Sequence, residues 1–172
     1  VAAFVDHAAE LMRGAGYTAF DGAPPEHAEH GAVAAPYAHV TAPLRRLADR
    51  YATEVCLALH GGAEVPDRVR EALPRLPEVM SKTDHVASAA ERGAVDLAEA
   101  VLLANRVGEE FDATVLDVDD RKPERGGTVA LQDPPVRARC EGEKLPLGER
   151  IQVRLVEADP ATRRVLFQLA GS

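Results

Sequence analysis

Tyr37-Ala38-His39-Val40-Thr41-Ala42-Pro43-Leu44-Arg45-Arg46-Leu47-Ala48-Asp49-Arg50 joins an extended apolar run to the start of an amphipathic helix, and the rest of the chain is arranged around that junction. Thr41 is a good N-cap, and Pro43 falls in the first turn, where a missing N–H costs nothing. Leu44, Leu47, Ala48, Tyr51, Val55 and Leu59 then share a stripe of 3.6-residue period. The pattern predicts a helix over 43–60, stopped by Gly61-Gly62. Free N–H groups at a helix start favour an anion. Arg45 and Arg46 oppose the dipole there, which prefers acids, so two cations held against that preference point to an anionic ligand. The two project about 100° apart, and at least one faces that ligand.

Tyr-x-His-x-Thr-x-Pro-Leu-Arg-Arg followed by x-x-Asp resembles the RNB-family signature Tyr-x-His-x-Thr-Ser-Pro-Ile-Arg-Arg-Tyr-x-Asp of the 3′ to 5′ exoribonucleases of the RNase II and RNase R group. Ala42 replaces the family's serine and Leu47 its tyrosine. Residues 36–47 are most similar to the actinobacterial members, described as RNB domain-containing proteins. The resemblance covers nearly the whole chain but only the C-terminal part of such a protein. It implies a hydrolytic enzyme that degrades single-stranded RNA to nucleoside monophosphates. Arg45 would then be catalytic, the cation facing the transition state, and Tyr37, His39 and Thr41 would wall the RNA 3′ end, with Arg46 among the RNA-binding residues. Taken alone, Arg46, Arg50 and Glu54 at spacings of four, with Asp49 four after Arg45, read as a salt-bridged surface. With the resemblance, Asp49 becomes the group that orients Arg45 toward a phosphate.

The family's Mg²⁺ sits on clustered aspartates upstream of the signature. No such cluster precedes residue 37, so the resemblance places those ligands outside this chain, which contributes none and is expected to be inactive alone. The alternative is a non-catalytic RNA-binding or scaffolding module whose signature persists for structural reasons, both arginines being clamped by acids. No Ser/His/Asp grouping, Cys/His pair, Walker loop or dinucleotide fingerprint is present.

The chain has 172 residues, 46% hydrophobic, with a net charge of −8, and both halves are acidic. A protein that coats nucleic acid non-specifically needs a broad positive surface, so any RNA site here is local. No apolar run suggests a membrane span, and the absence of an initiator Met and of a secretory h-region suggests a fragment or processed piece. Cys56 and Cys140 give neither a metal pattern nor a disulfide framework, which makes a reducing cytoplasm the default. A monomer is expected.

Along the chain, Val1, Phe4, Val5, Ala8, Leu11 and Met12 share a helical face that should look into a core. Gly22, Pro24 and Pro25 mark a loop carrying His27 and His30; with His39 these lack the further ligand that a zinc site needs. Residues 32–40 read as a strand buried on both faces. Pro66 opens a short helix through Ala72, Pro74 and Pro77 break it, and Thr83 with Asp84 caps a long helix through about Arg106. Within that helix Ala89-Ala90-Glu91-Arg92 resembles the family's Ala-Glu-Arg, whose glutamate is associated with the ribose hydroxyls of the terminal nucleotide. By that resemblance Glu91 joins the RNA-binding residues.

After residue 108 the period changes to two. Five alternating runs, around Phe111–Val115, Thr128–Leu131, Val136–Cys140, Ile151–Leu155 and Val165–Leu169, are separated by glycine and proline turns. Five strands of that length predict an OB-type barrel. Asp117, Asp119 and Asp120 read as a strand-end turn. Arg137, Arg139, Arg150, Arg154, Arg163 and Arg164 would line either a backbone-tracking groove or a solubilising outer face, with Arg154 pointing out. The fold class is therefore α+β: a mostly helical part over 1–107, which by the resemblance is the C-terminal part of an RNB catalytic domain, then a five-stranded OB-type barrel over 108–172.

Overall fold

The five alternating runs fold as strands. In the computed structural model, which describes residues 2–10, 16–118 and 126–171, they are β3 (Glu110–Val118), β4 (Gly127–Leu131), β5 (Arg137–Glu141), β6 (Arg150–Asp159) and β7 (Arg164–Leu169). They close into a barrel in the order β3-β4-β5-β7-β6, with β5 and β7 parallel and the other neighbours antiparallel. Closure removes the free edges that an open five-stranded sheet would expose. Register shifts at Val115/Asp117 on β3 and Leu155/Glu157 on β6 bend the longest strands enough to wrap.

Alternation sets the interior. Phe111, Ala113 and Val115 from β3, Val129 and Leu131 from β4, Cys140 from β5, Val153 and Leu155 from β6 and Phe167 from β7 form one core, with Leu103 reaching in from the preceding helix. Phe111 and Phe167 meet edge to face, their centroids 5.9 Å apart. Each fully buried Val, Leu or Phe contributes about 1.5–3 kcal/mol relative to its exposed state. Gly127 is forced by close approach, because a Cβ there would lie 2.1 Å from the Asp117 carbonyl oxygen across the β3–β4 pair. Burial pushes the Cys140 thiol up to about 11, whereas Cys56 is exposed. A thiol reagent at about pH 8 is therefore expected to modify one cysteine in the native protein and a second only after denaturation; rapid modification of both would contradict this interior.

The helical elements are α1 (Ala2–Glu10), α2 (Leu47–His60), α3 (Asp67–Ala72) and α4 (Leu76–Leu103), with a 3-10 turn at Leu73–Arg75 between the last two. Two compact units result, Gly14–Ser88 and Val1–Arg13 with Ala89–Ser172. The predicted face of α1 is corrected. Phe4 and Val5 are exposed, while Ala3 is buried near Gly148. Asp6 bonds both Arg137 guanidinium nitrogens, and His7 lies 3.5 Å from Asp117, so polar pairing with the barrel decides which face of α1 turns inward. Val1, Leu11, Met12, Asp119 and Asp120 lie outside the described residues.

Three other expectations change. The long helix does not start at Thr83 but at Leu76, because Pro77 falls in the first turn, where proline opens a helix rather than breaking it. Thr83 instead donates back along the helix to the Val79 and Met80 carbonyls. Residues 32–40 are not a buried strand: they hold only the second half of a two-residue bridge, β1 (Glu29–His30) with β2 (Ala35–Pro36). That bridge turns at Ala34, whose φ is +52°, and most of residues 31–40 are exposed. The stripe on α2 is also only partly covered, since Leu44, Leu47 and Leu59 are exposed while Ala48 is buried.

Candidate functional site

The chain from Thr41 to Asp49 is a turn followed by a helix, where one continuous helix was expected. The N–H groups of Arg45 and Arg46 both donate to the Ala42 carbonyl, at 3.2 and 2.9 Å. Arg46 then takes an extended conformation (φ −121°, ψ 110°), and α2 begins at Leu47. The helix start is therefore four residues later than Thr41 and Pro43 suggested. Arg45 and Arg46 precede the helix and do not oppose its dipole from within the first turn.

Asp49 is the centre of this arrangement and the one charged residue buried outright among the described residues. Its carboxylate accepts the Ala42 N–H at 2.7 Å. It also accepts the Arg46 guanidinium through Nε, at 3.0 and 3.2 Å, and through Nη2 at 3.0 Å. The fork geometry is the strong form of the arginine–carboxylate pair. The Arg46 hydrogen bond, with help from the Ala42 N–H, holds the carboxyl below its ordinary value of 3.8, against the opposing effect of burial. The same hydrogen bond raises Arg46.

The expectation that Asp49 orients Arg45 is thus corrected: its partner is Arg46, three residues away. A helix start at residue 43 had put Asp49 one turn after Arg45. The actual start makes it the third residue of α2, facing back over the turn. The Arg45 side chain is exposed and makes no ion pair or hydrogen bond among the described residues.

The other signature side chains are close to the clamp. Arg46 Nη2 donates to the Thr41 hydroxyl at 3.1 Å. Tyr37 and His39 meet edge on, with centroids 5.0 Å apart. Two residues that sequence reasoning had not placed in the site join them: His30 against Tyr37 at 5.4 Å and Tyr17 against His39 at 6.1 Å. Burial raises the Tyr17 phenol. His27, His30 and His39 belong to no metal-binding group, and no cluster of three or more His, Cys, Asp or Glu suited to a metal ion occurs among the described residues. The described residues do not fit a Mg²⁺ site. Glu91 is exposed on α4 in the other unit from Tyr37–Arg46.

On the barrel, three of the six arginines singled out from the sequence are matched by acids. Arg137 pairs with Asp6, Arg154 with Glu110 at 2.7 Å and Arg164 with Glu157 at 3.3 Å. Arg154 points outward, as its place in the alternation requires. Arg150 and Arg163 are exposed, and the Arg163 guanidinium occupies the space above Gly93 of α4. Each of these three pairs cancels charge locally.

A helical region followed by a five-stranded closed barrel of the S1/OB type is the architecture these elements define. Residues 109–170 match the RNase II-type exonuclease C-terminal S1 domain. Among solved structures, the apo form of Mycoplasma genitalium RNase R aligns with 81% of this chain and 26% of its own, at a TM-score of 0.64 and 17% identity. The same protein in complex with ribose methylated single-stranded RNA aligns over the same shares, with a TM-score of 0.65 and 16% identity. Its complex with double-stranded RNA aligns over 77% and 22%, at 0.57 and 19%. At these identities the likeness is one of fold, and the chain spans about a quarter of the length of those proteins. No curated protein matches the chain in sequence. Among the described residues, no helix is long and apolar enough to cross a membrane.

Proposed function

We propose that this chain forms the C-terminal portion of a hydrolytic 3′ to 5′ exoribonuclease of the RNase II/RNase R kind, acting on single-stranded RNA. The observation that carries the reading is the contrast between the two neighbouring arginines. Arg46 is fully engaged by Asp49 and Thr41, which fixes the turn, while Arg45 on that same turn is exposed and uncommitted. A guanidinium presented from a pinned turn is placed to neutralise a phosphate without first breaking an internal pair. In this proposal Arg45 is the catalytic cation, and Tyr37, His39, Thr41 and Arg46 shape its surroundings. The S1-type barrel follows as an RNA-binding element. Mg²⁺, where the reaction uses it, would be held by residues outside this chain.

The clamp on Arg46 favours a second reading, a non-catalytic RNA-binding module that keeps the signature for its structural value. Release of nucleoside monophosphates from single-stranded RNA separates the two. The chain joined to the upstream remainder of an RNB domain is expected to release them in the presence of magnesium or manganese, and the chain alone to release none. RNA binding without release by the joined protein would establish the second reading. Metal-dependent hydrolysis by the chain alone would overturn the partial-site proposal.

A further inference from the structure

The chain is 4% aromatic, yet two of its three tyrosines and two of its six histidines stand in one row. The row runs His30, Tyr37, His39, Tyr17, with successive ring planes 62°, 84° and 58° apart. No neighbouring pair is stacked. Edge-on and tilted contacts fix a ring while occupying less of its surface than parallel stacking does, and Tyr37 remains 50% exposed. The β1–β2 bridge is what delivers His30 to this place, since its pairing with Ala35 folds the loop back two residues before Tyr37. The segment after Tyr37 supplies His39, against which Tyr17 rests. An aromatic side chain that is half in solvent and in contact with two other rings has little orientational freedom to lose. Such a ring suits stacking by a flat π-system such as a nucleobase.

We propose that Tyr37 is a stacking platform for a base of single-stranded RNA, with His30 and His39 as positioning residues that hold its ring and Tyr17 supporting His39. The proposal rests on the reading of Arg45 as a phosphate contact and adds to it a contact with the base. Arg45 provides charge that any ribose-phosphate chain satisfies, whereas Tyr37 provides affinity that only a chain carrying bases satisfies. His30 and Tyr17 thereby become part of RNA recognition although they lie outside the Tyr37–Arg50 stretch.

The test compares binding of the 172-residue chain to a short oligouridylate RNA and to an abasic ribose-phosphate chain of equal length. Wild type is expected to favour the base-bearing chain by about tenfold. Tyr37→Leu should abolish that preference, and Tyr37→Phe should keep it. His30→Ala should reduce the preference and His30→Phe, which retains a ring edge, should restore it. Thermal melts identify any variant that fails to fold, and Tyr37→Phe then carries the comparison. Arg45→Ala should weaken both ligands equally. Equal wild-type affinities for the two chains, a preference that survives Tyr37→Leu, or no binding of either ligand would overturn the platform. A base preference with no effect of Arg45→Ala would instead overturn the phosphate reading and leave the platform standing.

Discussion

Arg45→Ala is expected to lower the rate of RNA hydrolysis by about 10²-fold or more when this chain is part of the complete exoribonuclease proposed above, the usual loss when a cation facing a transition-state phosphate is removed. Lysine at position 45 should recover only part of the loss, because a point charge replaces a planar fork. Arg154→Ala is the control. That arginine is exposed and paired with Glu110 across the β3–β6 ladder, and an exposed pair of this kind contributes at most about 1 kcal/mol. Single-turnover rates on a short RNA, measured for both variants beside wild type, decide the matter, and equal losses would remove Arg45 from the site.

The second large effect belongs to Asp49. Asp49→Ala leaves the Arg46 guanidinium and the Ala42 N–H without their buried partner and should lower the melting temperature of the Gly14–Ser88 unit by about 10 °C. Asp49→Asn should cost less, since its carbonyl oxygen can still accept from Ala42. Proton linkage gives a separate signature. The folded carboxyl lies below its ordinary value of 3.8, so the stability it contributes is complete above the unfolded value and is lost as the pH falls through the folded one. Wild-type melting temperature should therefore fall on acidification below about pH 4, and Asp49→Asn should flatten that part of the curve. Parallel curves for the two proteins would mean that folding does not lower the pKa of this carboxyl.

The same residue shows where the sequence could and could not be read. All five barrel strands were visible from alternation, because each inward side chain in a closed barrel has a single interior to face. Glycine and proline punctuation then set their limits. The helix start after the signature was misplaced, since Thr41 and Pro43 are a good local start signal and only a longer-range pair, the Asp49 carboxylate with the Ala42 N–H, draws the chain into a separate turn. Residues 32–40 misled for a related reason: small apolar side chains suggest burial, but the β1–β2 bridge that uses them is only two residues wide. The long helix was read from its best interior N-cap candidate, whereas its true start depends on Pro77 fitting a first turn. His30 and Tyr17 carried no spacing signal, because their rings meet the signature through a bridge and a loop and not along one periodic element.

The division of the fold has a spectroscopic consequence. Tyr17, Tyr37 and Tyr51 are all the tyrosines and tryptophan is absent, so every fluorophore excitable near 280 nm lies in the Gly14–Ser88 unit and the barrel is dark apart from Phe111 and Phe167. Emission and far-ultraviolet dichroism recorded in one denaturant titration thus follow different sets of residues. Superimposable curves would reveal that the two units melt as one, and displaced curves would assign a midpoint to the tyrosine-bearing unit with no label attached.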